Sequence, residues 1–238
     1  MPRPWRLILP GVAAHVIQRG NNRVPCFKQD SDYLVYLAYL RHLAEKYECS
    51  VHAYCLMTNH VHLLLTPAAA GACTALMRDL GQRYVQYFNR RHERSGTLWE
   101  GRYRSCIAES ARCVLACYRY IELNPVRACM VDHPVGYLWS SFAVNSGMRT
   151  DPLVSPHQEY LALASDGDSR YSAYRHLFDE QFDAGLLATI RDAVNGGYPL
   201  ASDAFKASVL TPRGWRTERG KPGPRAQSPE GHYSTENN

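Results

Sequence analysis

Apolar residues recur along this chain with two periods, and the alternation between them sets out the fold. GVAAHVIQRG (11–20) is short, rich in β-branched residues and closed by glycine, which predicts a first strand. DSDYLVYLAYLRHLAEKYE (30–48) follows an aspartate cap with apolar positions at helical spacing through Leu34, Leu37, Leu40 and Leu43. SVHAYCLM (50–57) alternates as a second strand, Thr58–Asn59 supplies a two-residue turn, and HVHLLLT (60–66) returns as the third strand of a hairpin. ACTALMRDLGQRYVQYFNRRH (72–92) predicts a second long helix, RSG (94–96) breaks it, and TLWEGRYRSCIAE (97–109) reads as a fourth strand with Gly101 at a bulge. The order β-α-β-β-α-β predicts an α+β, ferredoxin-like arrangement: an antiparallel sheet with both helices on one face and the other face free. SARCVLACYRYIELNPVRA (110–128) then predicts a third helix, capped by Ser110 and stopped ahead of Pro125, placed where it could cross the free face. Short amphipathic helices are expected near 155–164, 169–178, 180–195 and 202–209, and beyond Thr211 too few apolar residues remain to build a core, so disorder is expected unless a partner binds.

Composition adds bounds rather than identity. At 238 residues and 45% hydrophobic content the chain can fill one sizeable core with an appendage. It carries no signal-like N-terminal run and no stretch of eighteen apolar residues, so a cytoplasmic protein without a membrane partner is expected. Eight cysteines include no CxxC pair, which predicts free thiols in a reducing compartment. Cys113 and Cys117 share a helical face, but without a second nearby pair or a matched histidine they are expected to be packing residues.

The net charge of +5 says little by itself, whereas its distribution says more. Arg83, Arg90, Arg91, Arg94, Arg102 and Arg104 are interleaved with Tyr84, Tyr87, Phe88, Trp99 and Tyr103, and the tail carries Arg213, Arg216, Arg219 and Lys221. Cations for phosphates and flat rings for unpaired bases suit a single-stranded nucleic acid. A solvated helix face followed by core aromatics would give the same pattern.

The chemistry concentrates in two short segments. In LMTNHVHLLL (56–65) strand alternation points His60 and His62 one way and Val61, Leu63 and Leu65 the other. A His-x-His pair needs a third ligand to hold an ion, and YRYIELNPVRA (118–128) offers Tyr120 and Asn124, four apart on one helical face. An amide oxygen can coordinate a divalent cation, and a phenol can attack a group bound to it. Tyr118 lies about 200° around the helix from Tyr120, so the two cannot share that face. Asn124 could equally serve as the helix C-cap before Pro125.

NHVHLLL (59–65) followed by YIELNPVRA (120–128) resembles the REP-associated tyrosine transposases, the single-tyrosine branch of the HUH endonucleases. The resemblance runs from HVIQRGNNR (15–23) through RSGTLWEGRYRS (94–105) to YLWSSF (137–142), and less firmly through YPLASDAFKASV (198–209). It implies a divalent ion, Mg2+ or Mn2+, held by His60, His62 and Asn124, where related transposases carry glutamine at the helix position. Tyr120 would then cleave and rejoin single-stranded DNA beside a hairpin through a 5′-phosphotyrosine link. Arg19, Asn21, Asn22, Arg102 and Arg104 would hold DNA near the site, with Trp99 stacking a base. The resemblance further implies a bacterial, nucleoid-associated enzyme, monomeric or a homodimer whose tyrosine helix reaches the partner's site. The implied domains are a transposase unit over 1–145, a helical extension over 146–211 and a basic tail over 212–238.

Two other readings compete. His-x-His opens the metal site of amidohydrolases, but those place it on the first strand of a larger barrel, not on the third strand of this short run. A regulator that binds DNA hairpins without cleaving them would keep the arginines and aromatics but lose a ligand or the tyrosine, and here all are present.

Overall fold

The computed structural model describes residues 6–179, 181–215, 217 and 218. Its centre is one antiparallel sheet of four strands in the order β2-β3-β1-β4, formed by β1 (Ala13–Arg19), β2 (Cys49–Met57), β3 (His60–Pro67) and β4 (Arg104–Ala108). This is the ferredoxin-like arrangement that the element order predicts. The Thr58–Asn59 turn sets the hairpin register, pairing Met57 with His60 and Cys55 with His62. Across the other edge of β3, Ile17 pairs with His62 and Arg19 with His60.

Helices α1 (Asp30–Lys46) and α2 (Ala72–Arg91) cover one face. There Val16, Leu56, Val61, Leu63 and Leu65 pack with Tyr36, Leu40, Leu43, Leu76, Leu80 and Tyr84. The α1 stripe departs from expectation. Leu34 is 60% exposed, and Tyr33 and Tyr36 take the inward positions: Tyr36 meets Tyr84 of α2, and Tyr33 stacks between Phe27 and Trp139. The cap also shifts by one residue: Gln29 is the N-cap, in a capping box with Asp32. Asp32 is buried and accepts from Tyr87 on α2 and faces His92 just beyond it, which ties the two helices together.

The second face does not stay free. Helix α3 (Ala111–Glu122) crosses it, with Ser110 capping Cys113 N as its sequence predicts. The following segments complete the cover: α4 (Asn124–Arg127), α5 (Phe142–Asn145), α6 (Gln158–Leu161), α7 (Gly167–Asp179) and α8 (Ala184–Gly196). Ile17, Cys55 and Leu64 share this core with Tyr118, Tyr160, Tyr174, Ile190 and Val194. Residues of the expected extension thus pack directly on the sheet.

The fourth strand is shorter than the alternation predicts. Residues 98–103 leave the ladder, with Gly101 at φ 141°, a conformation that only glycine adopts without strain. Two hydrogen bonds still lay this loop beside β1: Asn21 N donates to Leu98 O and Glu100 N to Arg19 O. At Gly20 a Cβ would come within 2.4 Å of Val24 O, so the chain can turn there only without a side chain. All eight cysteines are free thiols. No helix among the described residues is long and apolar enough to cross a membrane.

Candidate functional site

Strand parity carries His60 and His62 onto the face that α3 covers, and the sheet register brings two β1 residues beside them. Arg19 lies opposite His60, and His15 lies diagonal to His62. His62 is 3% exposed and its Nδ1 is 2.9 Å from His15 Nε2. His60 Nδ1 donates to Asn59 Oδ1 at 2.6 Å. Both imidazoles are braced through Nδ1, which leaves each Nε2 for another partner. If His62 donates its Nδ1 proton, His15 must carry its own proton on Nδ1, a buried atom without a partner.

Helix α3 supplies the opposite wall. The Tyr120 ring centroid lies 5.8 Å from that of His62 and 5.4 Å from that of His15. Tyr118 faces the other way, packs on Tyr160 and Tyr174, and accepts from His157 N. The helix ends at Glu122, and Asn124 opens the separate turn α4, with Leu123 between them near helical torsions. The break leaves Tyr120 and Asn124 in one cleft of about 290 Å3 with His60, His62, Arg19 and Arg127. Arg127 lies over the Tyr120 ring at 4.4 Å and donates to the Tyr120 carbonyl at 2.5 Å.

Glu122 holds this helix from behind. It is fully buried, and Ser141 Oγ, Asn145 Nδ2 and Tyr174 OH donate to its two oxygens at 2.5, 2.8 and 2.6 Å. Burial pushes its carboxyl up to about 7, although all three donors pull the other way. No short-range pattern marks this clamp, since its partners lie 19 to 52 residues away. His15 was also missed. The signal available for it was parity, since it shares the β1 face that holds Arg19.

The remaining expected residues divide. Arg102 and Arg104 line a groove that also contains Arg19, so they stay near the cleft. Asn21 and Asn22 form a turn just past β1. Arg83, Arg90 and Arg91 are exposed on α2, across the sheet from the histidines, and Arg91 donates to Gln29, so they do not join this site. Trp99 is 7% exposed and packs against Tyr84 in the core beneath α2, so it fills space there rather than offering an open face for a base. Arg213 lies in a single helical turn, while Arg216, Arg219 and Lys221 fall outside the described residues.

The electrostatics favour neutral imidazoles. Burial lowers His60 to about 4, helped by Arg19. Burial first, then His15, His60, Arg127 and Arg19, lowers His62 further. Neutral imidazole is the form that can ligate a metal. No three His, Cys, Asp or Glu side chains among the described residues converge to hold an ion. The Asn124 amide oxygen is the further neutral donor in this cleft; the same amide's Nδ2, which can only donate, is buried without a partner. Two braced imidazoles and one amide fit a divalent cation of intermediate softness, while contributing no negative charge.

By their match to a family model, residues 9–124 form a transposase domain. The family is the IS200-like transposases, and the matched segment holds the whole sheet and α1 to α3. The fold resembles that of a REP-associated tyrosine transposase solved bound to a REP hairpin. The TM-score is 0.52 at 14% identity, covering 67% of this chain and 93% of that one. A presumed transposase from Deinococcus radiodurans, at 19% identity and a TM-score of 0.36 over 55% of this chain and 92% of its own, is too distant to carry argument. No curated protein matches the sequence.

Proposed function

We propose that this transposase nicks and rejoins single-stranded DNA beside REP-like hairpins, with Tyr120 as nucleophile. The observation that carries the reading is the meeting of His60, His62, Asn124 and Tyr120, drawn from two distant segments, in one cleft of a single chain. The Tyr120 oxygen attacks the scissile phosphorus as its phenol proton passes to solvent, the P–O3′ bond breaks, and the 3′-oxygen takes a proton from solvent and leaves as a hydroxyl. The strand's 5′ end is left on the enzyme as a phosphotyrosine. Reversal by a 3′-hydroxyl, from the same or another end, rejoins DNA with no outside energy source.

Each residue has a distinct task. His60, His62 and Asn124 would hold Mg2+ or Mn2+, which when bound withdraws charge from the phosphate and is worth several kcal/mol in such reactions. His15 fixes the His62 ring and Asn59 the His60 ring. Arg127 sets a positive charge beside a phenol that becomes negative on losing its proton, and its grip on the Tyr120 carbonyl limits motion of that residue. The structural relative's bound REP hairpin supports the choice of substrate.

The test is a denaturing gel. Labelled hairpin DNA with single-stranded flanks, incubated with Mn2+, should yield a protein adduct that is absent in Tyr120→Phe and suppressed by chelator. Tight binding without an adduct, across a panel of REP-like hairpins, would favour the regulator over the enzyme.

A further inference from the structure

The cleft at the histidines does not end there. It shares Ile17, Arg19 and Asn195 with a second depression, which in turn shares Glu100, Gly101, Arg102, Arg104 and Asn195 with a third of about 450 Å3, so one carboxylate lies among the cations. The three depressions adjoin through these shared residues, and Asn195, near the end of α8, borders each of them. Asn195 is held there by Arg104, which donates to its Oδ1 at 2.9 Å.

The groove's chemistry changes along its length. Near the histidines its walls are mainly cationic. At the far end Arg6 lies 3.9 Å from the centre of the Tyr103 ring and donates to the Tyr103 carbonyl, beside the half-buried Trp215. Arg6 and Arg104 thus bond neutral acceptors, and neither forms an ion pair with a carboxylate among the described residues. Gly101, Gly196 and Gly197 also face this end, so much of its wall is bare backbone. Guanidinium groups with no carboxylate partner suit successive phosphates, and a flat cation on a ring beside an indole suits an unpaired base. Arg6 and Trp215 lie outside residues 9–124, the segment that matches the family model, whereas Tyr103 lies within it.

The geometry points to a single-strand track: unpaired nucleotides next to the hairpin run along these adjoining depressions, and one base stacks on Trp215 at the far end, where Arg6 covers the buried Tyr103 ring. On this inference α8 serves as the outer wall of the track and does more than cover the sheet. The inference rests on the reading of the histidine cleft as the DNA-cleaving site.

Its test compares two DNAs bound by the full-length Tyr120→Phe protein, measured by fluorescence anisotropy. One is a hairpin with natural single-stranded flanks, and the other has the same flanks made abasic, with phosphates kept and bases removed; 5′ and 3′ flanks are tried separately. Stacking predicts that loss of the bases on one side weakens binding about tenfold or more. In Trp215→Ala and in Trp215→Leu that preference should vanish while affinity for the abasic DNA is kept. The inference is overturned if removing bases costs nothing on either side, if neither DNA binds, or if the variants keep the preference. It is also overturned if they lose affinity for both DNAs alike. An adduct formed by the Tyr120 enzyme alongside any of these results would leave the catalytic reading standing and remove only the track.

Discussion

The Glu122 clamp gives a prediction whose size follows from the structure. Replacing Glu122 by alanine removes the common acceptor of three buried donors, Ser141, Asn145 and Tyr174. Breaking a buried network from one side costs about 3–5 kcal/mol, so Glu122→Ala should be strongly destabilised. Glu122→Gln keeps the shape but cannot ionise, and its comparison with the parent isolates the charge. The folded carboxyl titrates near 7, against 4.5 for the ordinary group. Between those values the folded state keeps a proton that the unfolded chain has released. The stability this proton contributes is therefore full below pH 4.5, declines as pH rises, and is gone above 7. The whole gap is worth about 3 kcal/mol, of which roughly 2.5 kcal/mol falls between pH 5 and pH 8. Buried His15, His52, His60 and His62 titrate in the opposite sense, with pKa values lowered on folding. They are present in both proteins, so their contribution cancels in the difference. Urea unfolding of parent and Glu122→Gln at pH 5, 6, 7 and 8 should show the parent losing about 2.5 kcal/mol relative to the variant across that range. A difference that stays flat within 0.5 kcal/mol would refute the reasoning, since it would mean that burial does not penalise the charged carboxylate.

Three further outcomes can be checked on the same protein. Because the proposed ligands are uncharged and Arg19 and Arg127 line the same cleft, Mn2+ should bind the free protein weakly and bind Tyr120→Phe at least tenfold more tightly once hairpin DNA supplies a phosphate. Calorimetry showing equal affinity with and without DNA would contradict this. His15→Leu should lower that DNA-assisted Mn2+ affinity by about 10–100-fold through loss of the brace on His62, while the folded yield stays normal; unchanged metal binding would remove His15 from the site. Tyr118→Phe should cost about 1 kcal/mol in urea unfolding, through its bond to His157 N, yet leave Tyr120 adduct formation intact. An adduct lost in that variant would reassign the nucleophile.

What could be read in advance and what could not divides along a physical line. His60 and His62 were placed on one face because alternation along a strand is fixed by the backbone, whatever packs against it. Tyr120 was separated from Tyr118 for the same kind of reason, about 100° of helical rotation per residue. The errors fall where side chains compete for space. Leu34 fitted the helical stripe, yet its neighbour Tyr33 is the buried one, because Phe27 and Trp139 stack on its two sides. Trp99 fitted either a core or a stacking platform, and only the bend at Gly101, which turns residues 98–103 back beside β1, sends it inward. The residues that hold the site in place were the least legible. His15 reaches His62 across 47 positions and Glu122 reaches Tyr174 across 52, distances at which neither helical nor strand periodicity carries information. The groups that would carry out chemistry come as two close pairs, His60 with His62 and Tyr120 with Asn124, because one strand or one helix turn can present each pair together. The groups that orient them come from wherever the fold returns to that cleft, so a short motif can identify this site while leaving its supports, and the groove walled by α8, to be found only in three dimensions.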